Sequence, residues 1–113
     1  MRNKLSHKPK ATTSIIAELK TELRRLYGER LLKLILYGSY ARSEASSESD
    51  IDLAVLLEGT VAPVREIDRM LDIITGINLK HNVLISVYPV STEALHSVRS
   101  PLLMNIRKEG VTV

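Results

Sequence analysis

The sequence contains no cysteine, no tryptophan and no phenylalanine, and aromatic residues make up only 4% of its 113 residues. The absence of cysteine excludes disulfide bonds and thiolate metal sites, and it is typical of a cytoplasmic protein. Because aromatic side chains are scarce, the core that the 44% hydrophobic share predicts must be aliphatic. No apolar run reaches the roughly 20 residues that a membrane-spanning helix needs, so we expect no contact with a membrane.

The length and the charge predict one domain with a mildly basic surface. Residues 1–11 are basic, contain Pro9 and lack periodicity, which predicts a flexible basic tail before a single domain at residues 12–113. An arm that binds nucleic acid is the alternative interpretation of this tail. The formal net charge of +3 permits contact with nucleic acid but does not require it. The sequence leaves the oligomeric state open, homo-oligomers included.

Hydrophobic periodicity and turn residues predict an alternation of helices and strands. The predicted elements are a helix from Thr12 to Gly28, strands at 31–37 and 51–57, a helix from Pro63 to about Leu79, a strand at Asn82–Tyr88, a short helix capped by Ser91, a helix from Pro101 to Gly110 and a short terminal strand. This order is typical of an α/β (α+β) fold, in which helices pack against a small mixed β-sheet.

The end of the first predicted strand carries the features of a phosphate site. Gly38 and Ser39 follow the strand directly, and glycine lets the backbone turn sharply and lets an anion approach closely. The next residues, including Arg42 and Glu44, can open a short helix whose free N–H groups would face a phosphate. The alternatives are an ordinary strand–helix turn and an ion pair of Arg42 with Glu44 or Glu48.

Two carboxylates open the second predicted strand. Asp50 and Asp52 are two positions apart, so in a strand both side chains lie on one face. Two carboxylates directed at one place repel each other unless a cation lies between them, and Mg²⁺ accepts one or two carboxylates together with substrate phosphates. A phosphate site beside an acidic pair predicts phosphoryl-transfer chemistry with Mg²⁺ or Mn²⁺.

The pattern Gly-Ser-x-Ala-Arg…Ser-Asp-x-Asp-Leu, from Gly38 to Leu53, resembles the signature of the DNA-polymerase-beta-like nucleotidyltransferases. More narrowly, it resembles the minimal nucleotidyltransferase (MNT) proteins, the antitoxins of HEPN/MNT toxin–antitoxin pairs. The resemblance implies a minimal nucleotidyltransferase fold. It also implies that Gly38, Ser39, Arg42 and Ser49 bind the nucleotide, and that Asp50 and Asp52 hold two divalent ions that align the triphosphate and the attacking hydroxyl.

The resemblance further implies a third carboxylate on the neighbouring strand, and here the chain departs from the pattern. The predicted strand at 82–88 contains no Asp or Glu, so Asn82 or Ser86 occupies the place. Neither side chain carries a negative charge, and neither is an efficient base. The sequence does not fix which of the two is beside the acidic pair.

These features lead to one expected function and two alternatives. The resemblance implies transfer of NMP, AMP from ATP, to a hydroxyl of a HEPN RNase toxin. The alternatives are a nucleotide-binding antitoxin or regulatory subunit that acts by binding its partner, and an enzyme whose partner supplies the missing base.

Other candidate residues give weaker signals. His7, His81 and His96 have no spacing suited to a metal site, and His81 is predicted at a helix C-terminus. Tyr40 is interpreted as a packing residue, with stacking on a nucleobase as the alternative.

Overall fold

The computed structural model describes residues 4–42 and 50–113, and within the first helix it describes side chains from Thr12 onward. The elements are α1 Lys4–Tyr27, a 3-10 turn Gly28–Arg30, β1 Leu31–Tyr37, β2 Ile51–Leu57, α2 Pro63–His81, β3 Ile85–Ser91, α3 Thr92–Ser97, α4 Pro101–Glu109 and β4 Val111–Thr112. None of the helices in the described ranges is long and apolar enough to cross a membrane.

The four strands form one mixed sheet in the order β3-β2-β1-β4. β2 and β3 are parallel and are joined through α2, whereas β1 runs antiparallel to both β2 and β4. The predicted mixed sheet with packed helices is confirmed. The expectation that the third strand lies beside the strand of the acidic pair is confirmed as well.

Each face of the sheet is covered by a different pair of helices. Alternate strand residues such as Leu34, Leu53 and Val55 pack against α1 and α2 in the larger apolar cluster. Residues of the opposite parity, such as Ile35 and Ala54, pack against α3 and α4. The core is aliphatic apart from a few tyrosines, as the composition requires.

The structure corrects the predicted start of the first helix. α1 begins at Lys4, well before the predicted start at Thr12, so residues 4–11 are helical and not a tail without regular structure. The limits of the single domain at residues 12–113 stay a prediction.

The structure also moves the third strand. Asn82 is the C-cap of α2, with a left-handed φ of 53°, and its N–H donates to the carbonyl of Asn78. Asparagine is one of the few residues that adopt this conformation readily. The strand therefore begins at Ile85, not at Asn82, and it continues through Pro89, because β3 is an edge strand on which a missing N–H is tolerated.

Candidate functional site

The turn that follows β1 lies directly against a carboxylate of β2. Gly38 has a φ of +75°, and a Cβ atom built on it would lie only 2.5 Å from Oδ2 of Asp52. The N–H of Arg42 donates to the Gly38 carbonyl at 3.1 Å, which closes one helix-like turn. The predicted continuation into a helix at Glu44 lies outside the described residues. Glycine is required here both by the backbone conformation and by the close approach of Asp52.

Three polar side chains form a row across the adjoining strands. Asp52 is paired with Tyr37 of β1 and with Ser86 of β3, and partners in register place their side chains on the same face of a sheet. Asp50 is exposed and directly precedes β2, whereas Asp52 is half-buried. The row therefore presents a tyrosine hydroxyl, a carboxylate and a serine hydroxyl at one end of the sheet.

The register distinguishes the two candidates for the third acidic position. Ser86 is exposed and is the β3 partner of Asp52. Asn82 shares the parity of Ser86 along the chain, but it caps α2 and takes no part in the strand. Only Ser86 therefore lies beside the acidic pair.

The electrostatics of the row agree with two carboxylates held close together. Burial raises the pKa of the Asp52 carboxyl, the charge of Asp50 raises it further, and the charge of Arg42 opposes both. Burial also raises the pKa of the Tyr37 hydroxyl, with smaller contributions from Asp52 and Tyr88. Burial and a second negative charge therefore both oppose ionisation of Asp52 when no cation is bound.

Arg42 also has a partner that the sequence did not reveal. Its Nη1 donates to Oε1 of Glu109, the last residue of α4, at 2.8 Å. The pairs of Arg42 with Glu44 or Glu48 that the sequence suggested lie outside the described residues, as does Ser49. Among the residues that the structure describes, Glu109 and Tyr37 are neighbours of the site to which the sequence assigned no role. The only signal for Tyr37 was its place directly before Gly38.

Tyr40 and His81 are placed as the sequence predicted. Tyr40 packs against the larger apolar cluster, which favours the packing interpretation over stacking on a base. His81 is the last residue of α2, and its Nε2 lies 2.9 Å from Oε1 of Glu18 on α1.

The donor set at this place suits a hard cation that also binds a substrate. Within residues 4–42 and 50–113, no group of three or more His, Cys, Asp or Glu side chains could hold a metal ion. Mg²⁺ keeps several ligand positions for water and phosphate and needs only one or two carboxylates. Asp50 and Asp52 therefore fit a magnesium ion that shares its coordination with a nucleotide.

Comparisons with known proteins identify a family and a shared fold. Residues 16–107 match a protein family described as Nucleotidyltransferase domain. Two Methanocaldococcus jannaschii proteins, both named protein adenylyltransferase, are similar to the chain. MJ0604 is 34% identical over 96 residues, covering 84% of this chain and 90% of its own. MJ0141 is 33% identical over 72 residues, covering 64% of this chain and 72% of its own.

Two solved structures share the fold. One is a toxin–antitoxin with AMP-PNP, with a TM-score of 0.58 and 20% identity, over 83% of this chain and 68% of that chain. The other is a double Asp→Glu mutant of the toxin–antitoxin MntA–HpeT, with a TM-score of 0.54 and 18% identity, over 81% of this chain and 66% of that chain. At these identities the likeness establishes the fold alone.

Proposed function

The chain belongs to the nucleotidyltransferase domain family, and from this premise we propose that it transfers AMP from ATP to a hydroxyl of a partner protein. The observation that carries the proposal is the contact between the Gly38 turn and the Asp52 carboxylate, with Asp50 directly before the same strand. This contact brings backbone N–H groups that suit phosphate within reach of carboxylates that suit its counter-ion. The two relatives named protein adenylyltransferase support AMP as the transferred group and a protein as the acceptor.

In this proposal each side chain has a defined task. Gly38 and Ser39 bind the triphosphate through the turn, Arg42 binds a phosphate, and Ser49 assists from the adjoining segment. Asp50 and Asp52 hold the divalent cation. When bound, the cation supplies charge neutralisation for the triphosphate and the leaving group.

The transfer itself is a substitution at phosphorus. The acceptor oxygen forms a bond to the α-phosphorus while the bond from that phosphorus to pyrophosphate breaks. The acceptor proton passes to a base, and pyrophosphate leaves with the electron pair of the broken bond. The residues of this chain orient the triphosphate for in-line attack, which is the main contribution of a protein to such reactions.

We propose a HEPN RNase toxin as the partner. This chain would then be the antitoxin of the pair and would act in the cytoplasm. The motif resemblance implies this pairing, and the two toxin–antitoxin structures that share the fold support it. Neutralisation would follow from attachment of adenylate to the toxin.

A second candidate function is favoured by one specific observation. The β3 partner of Asp52 is Ser86, which carries no charge and cannot act as an efficient base. In this second function the chain binds a nucleotide and its partner without turnover. In the third alternative the chain does transfer the nucleotide, but only when its partner supplies the missing base.

The deciding experiment incubates the protein with a HEPN-type partner, ATP and Mg²⁺, and follows the mass of the partner. We expect the addition of adenylate, and its absence in the Asp52→Asn variant. A partner that forms a stable complex but gains no mass would establish the binding-only function in place of transfer.

A matched pair of variants tests the role of the β3 position in the same assay. Loss of a general base typically costs about 10²–10⁴ in rate. We therefore expect slow transfer by the native protein and faster transfer by Ser86→Asp. Asn82→Asp adds the same charge outside the strand, so its rate should match that of the native protein. Equal rates in all three proteins would show that another residue or the partner supplies the base.

A further inference from the structure

An ion pair joins the turn after β1 to the end of α4. Arg42 Nη1 and Glu109 Oε1 lie 2.8 Å apart, although the two residues are far apart in sequence. Glu109 is the last residue of its helix, where the negative end of the helix dipole disfavours a carboxylate. The helix alone therefore gives no reason for a glutamate at this position, whereas Arg42 does.

The end of α4 is fixed to the strand that carries the turn. A Cβ atom at Gly110 would lie 2.5 Å from Cγ2 of Ile35, so the chain directly after Glu109 lies tightly on β1. The next residues form β4, which pairs with β1 at Ile35 and Leu36. Because β1 also leads directly into the Gly38 turn, the position of Glu109 relative to that turn is set by the sheet.

Arg42 lies near groups of opposite function. The backbone N–H of Arg42 donates to the carbonyl of Gly38, and Gly38 lies directly against Oδ2 of Asp52, so Arg42 belongs to the turn that contacts the acidic site. A guanidinium that closed on Asp50 and Asp52 would compete with a cation for the same oxygens. In the structure, Nη1 of Arg42 donates to Oε1 of Glu109.

We propose that Glu109 is a positioning residue of the nucleotide site, which holds Arg42 for phosphate binding and keeps it from closing on Asp50 and Asp52. This inference rests on the proposed function. Guanidinium carries five N–H donors in a fixed plane, so Arg42 can donate to Glu109 and to a phosphate oxygen at the same time. Glu109 itself does not contact the nucleotide in this arrangement.

The test is a calorimetric titration of ATP with Mg²⁺ into four proteins: the native chain, Glu109→Gln, Arg42→Gln and the double variant. Groups that orient metal ligands typically change affinity about 10–100-fold when they are removed. By analogy, we expect Glu109→Gln to weaken binding about tenfold. Because Glu109 acts through Arg42, the double variant should bind no more weakly than Arg42→Gln alone.

Two further variants separate positioning from a general effect of charge or stability. Glu109→Asp keeps the carboxylate on a shorter side chain and should bind with an intermediate affinity. Asp72→Asn removes an exposed carboxylate from α2, which packs on the opposite face of the sheet, and should bind like the native chain. Thermal unfolding of each variant checks that the fold is retained.

The possible outcomes distinguish this inference from the proposed function. Native affinity in Glu109→Gln would overturn the inference alone. A further loss of affinity on adding Glu109→Gln to Arg42→Gln would also overturn it, because Glu109 would then act independently of Arg42. Failure of the native chain to bind ATP with Mg²⁺ would overturn the proposed function, and the inference with it.

Discussion

At the scale of single residues, opposing effects act on the pKa of Asp52, as is typical of a functional carboxylate. Burial and the neighbouring Asp50 raise its pKa, and Arg42 lowers it. A structural carboxylate in a stable protein generally has partners that stabilise its charge. The acidic pair is therefore expected to be held at a cost when no cation is bound.

This cost predicts the effect of neutralising either aspartate. In metal-free buffer, Asp50→Asn and Asp52→Asn should each keep the free energy of unfolding of the native protein or increase it, with no loss beyond roughly 0.5 kcal/mol. Urea denaturation measures the difference. Strong destabilisation by both substitutions would mean that the aspartates have a structural role.

The residues of the site differ in how far their positions could be predicted from the sequence. The place of Asp52 at the start of the second strand could be predicted from the apolar run that follows it, whereas Asp50 lies directly before β2. The choice between Ser86 and Asn82 could not, because the register of β3 depends on α2 ending at Asn82 in a left-handed conformation. The contact of Glu109 with Arg42 could not be predicted either, since it depends on where the end of α4 lies on the sheet.

At the scale of elements, the turn after β1 joins the two halves of the candidate site. Gly38 and Gly28 both have a positive φ, but only at Gly38 would a Cβ atom meet another group, the Asp52 carboxylate. The two glycines therefore offer a matched comparison between backbone strain alone and strain combined with displacement of the site.

We expect Gly28→Ala to cost about 1–2 kcal/mol of stability, from the left-handed conformation alone. Binding of ATP with Mg²⁺ should be retained. Gly38→Ala carries the same strain and must also displace Asp52, so its binding of ATP with Mg²⁺ should be lost. Calorimetric titration of both variants checks this, and equal affinities would contradict the assigned contact.

A second set of contacts joins α1 to α2 through a buried carboxylate. Glu66 is only 3% exposed. Tyr27 Oη donates to its Oε1 at 2.8 Å, and Arg30 Nη2 donates to its Oε2 at 3.1 Å. Burial alone would raise the pKa of this carboxyl, but the hydrogen bonds from Tyr27 and Arg30 lower it below its usual value.

The lowered pKa predicts how stability depends on pH. The contribution of Glu66 is fully present above its unfolded pKa of about 4.5 and is lost as the pH falls through the lower folded value. Tyr27→Phe should cost about 1–3 kcal/mol near neutral pH, because a buried carboxylate loses a donor. The difference from the native protein should shrink in acid.

Urea denaturation over a range of pH measures this difference. Tyr88→Phe is the control, because the Tyr88 hydroxyl has no hydrogen-bond partner among the residues that the structure describes. A cost for Tyr27→Phe that does not change with pH would contradict the role of the Glu66 charge.

The burial of Glu66 also explains why the apolar periodicity of α2 does not mark the buried face of this helix. Val64, Ile67 and Leu71 recur at helical spacing in α2, yet all three are exposed. Glu66 and Met70 are buried instead, together with Ile74 and Ile77. Hydrophobicity alone could not place a charged residue inside, because its burial depends on donors from α1 and the following turn.

At the scale of the whole molecule, the chain brings four distant segments to one end of the sheet. The Gly38 turn follows β1, the acidic pair opens β2, Ser86 lies on β3, and Glu109 ends α4. The fold class could be predicted because the order of elements allows few arrangements. The convergence of these segments depends on the strand order and on the pairing of β4, which the sequence does not encode locally.

The most direct test of the central claim is the affinity for ATP with and without Mg²⁺ in the native protein and in the Asp50→Asn, Asp52→Asn double variant. The claim is that the Gly38 turn and the acidic pair form one nucleotide–metal site. Calorimetry should show that Mg²⁺ strengthens ATP binding by the native protein, and that the double variant loses this gain. An equal gain from Mg²⁺ in both proteins would contradict the claim.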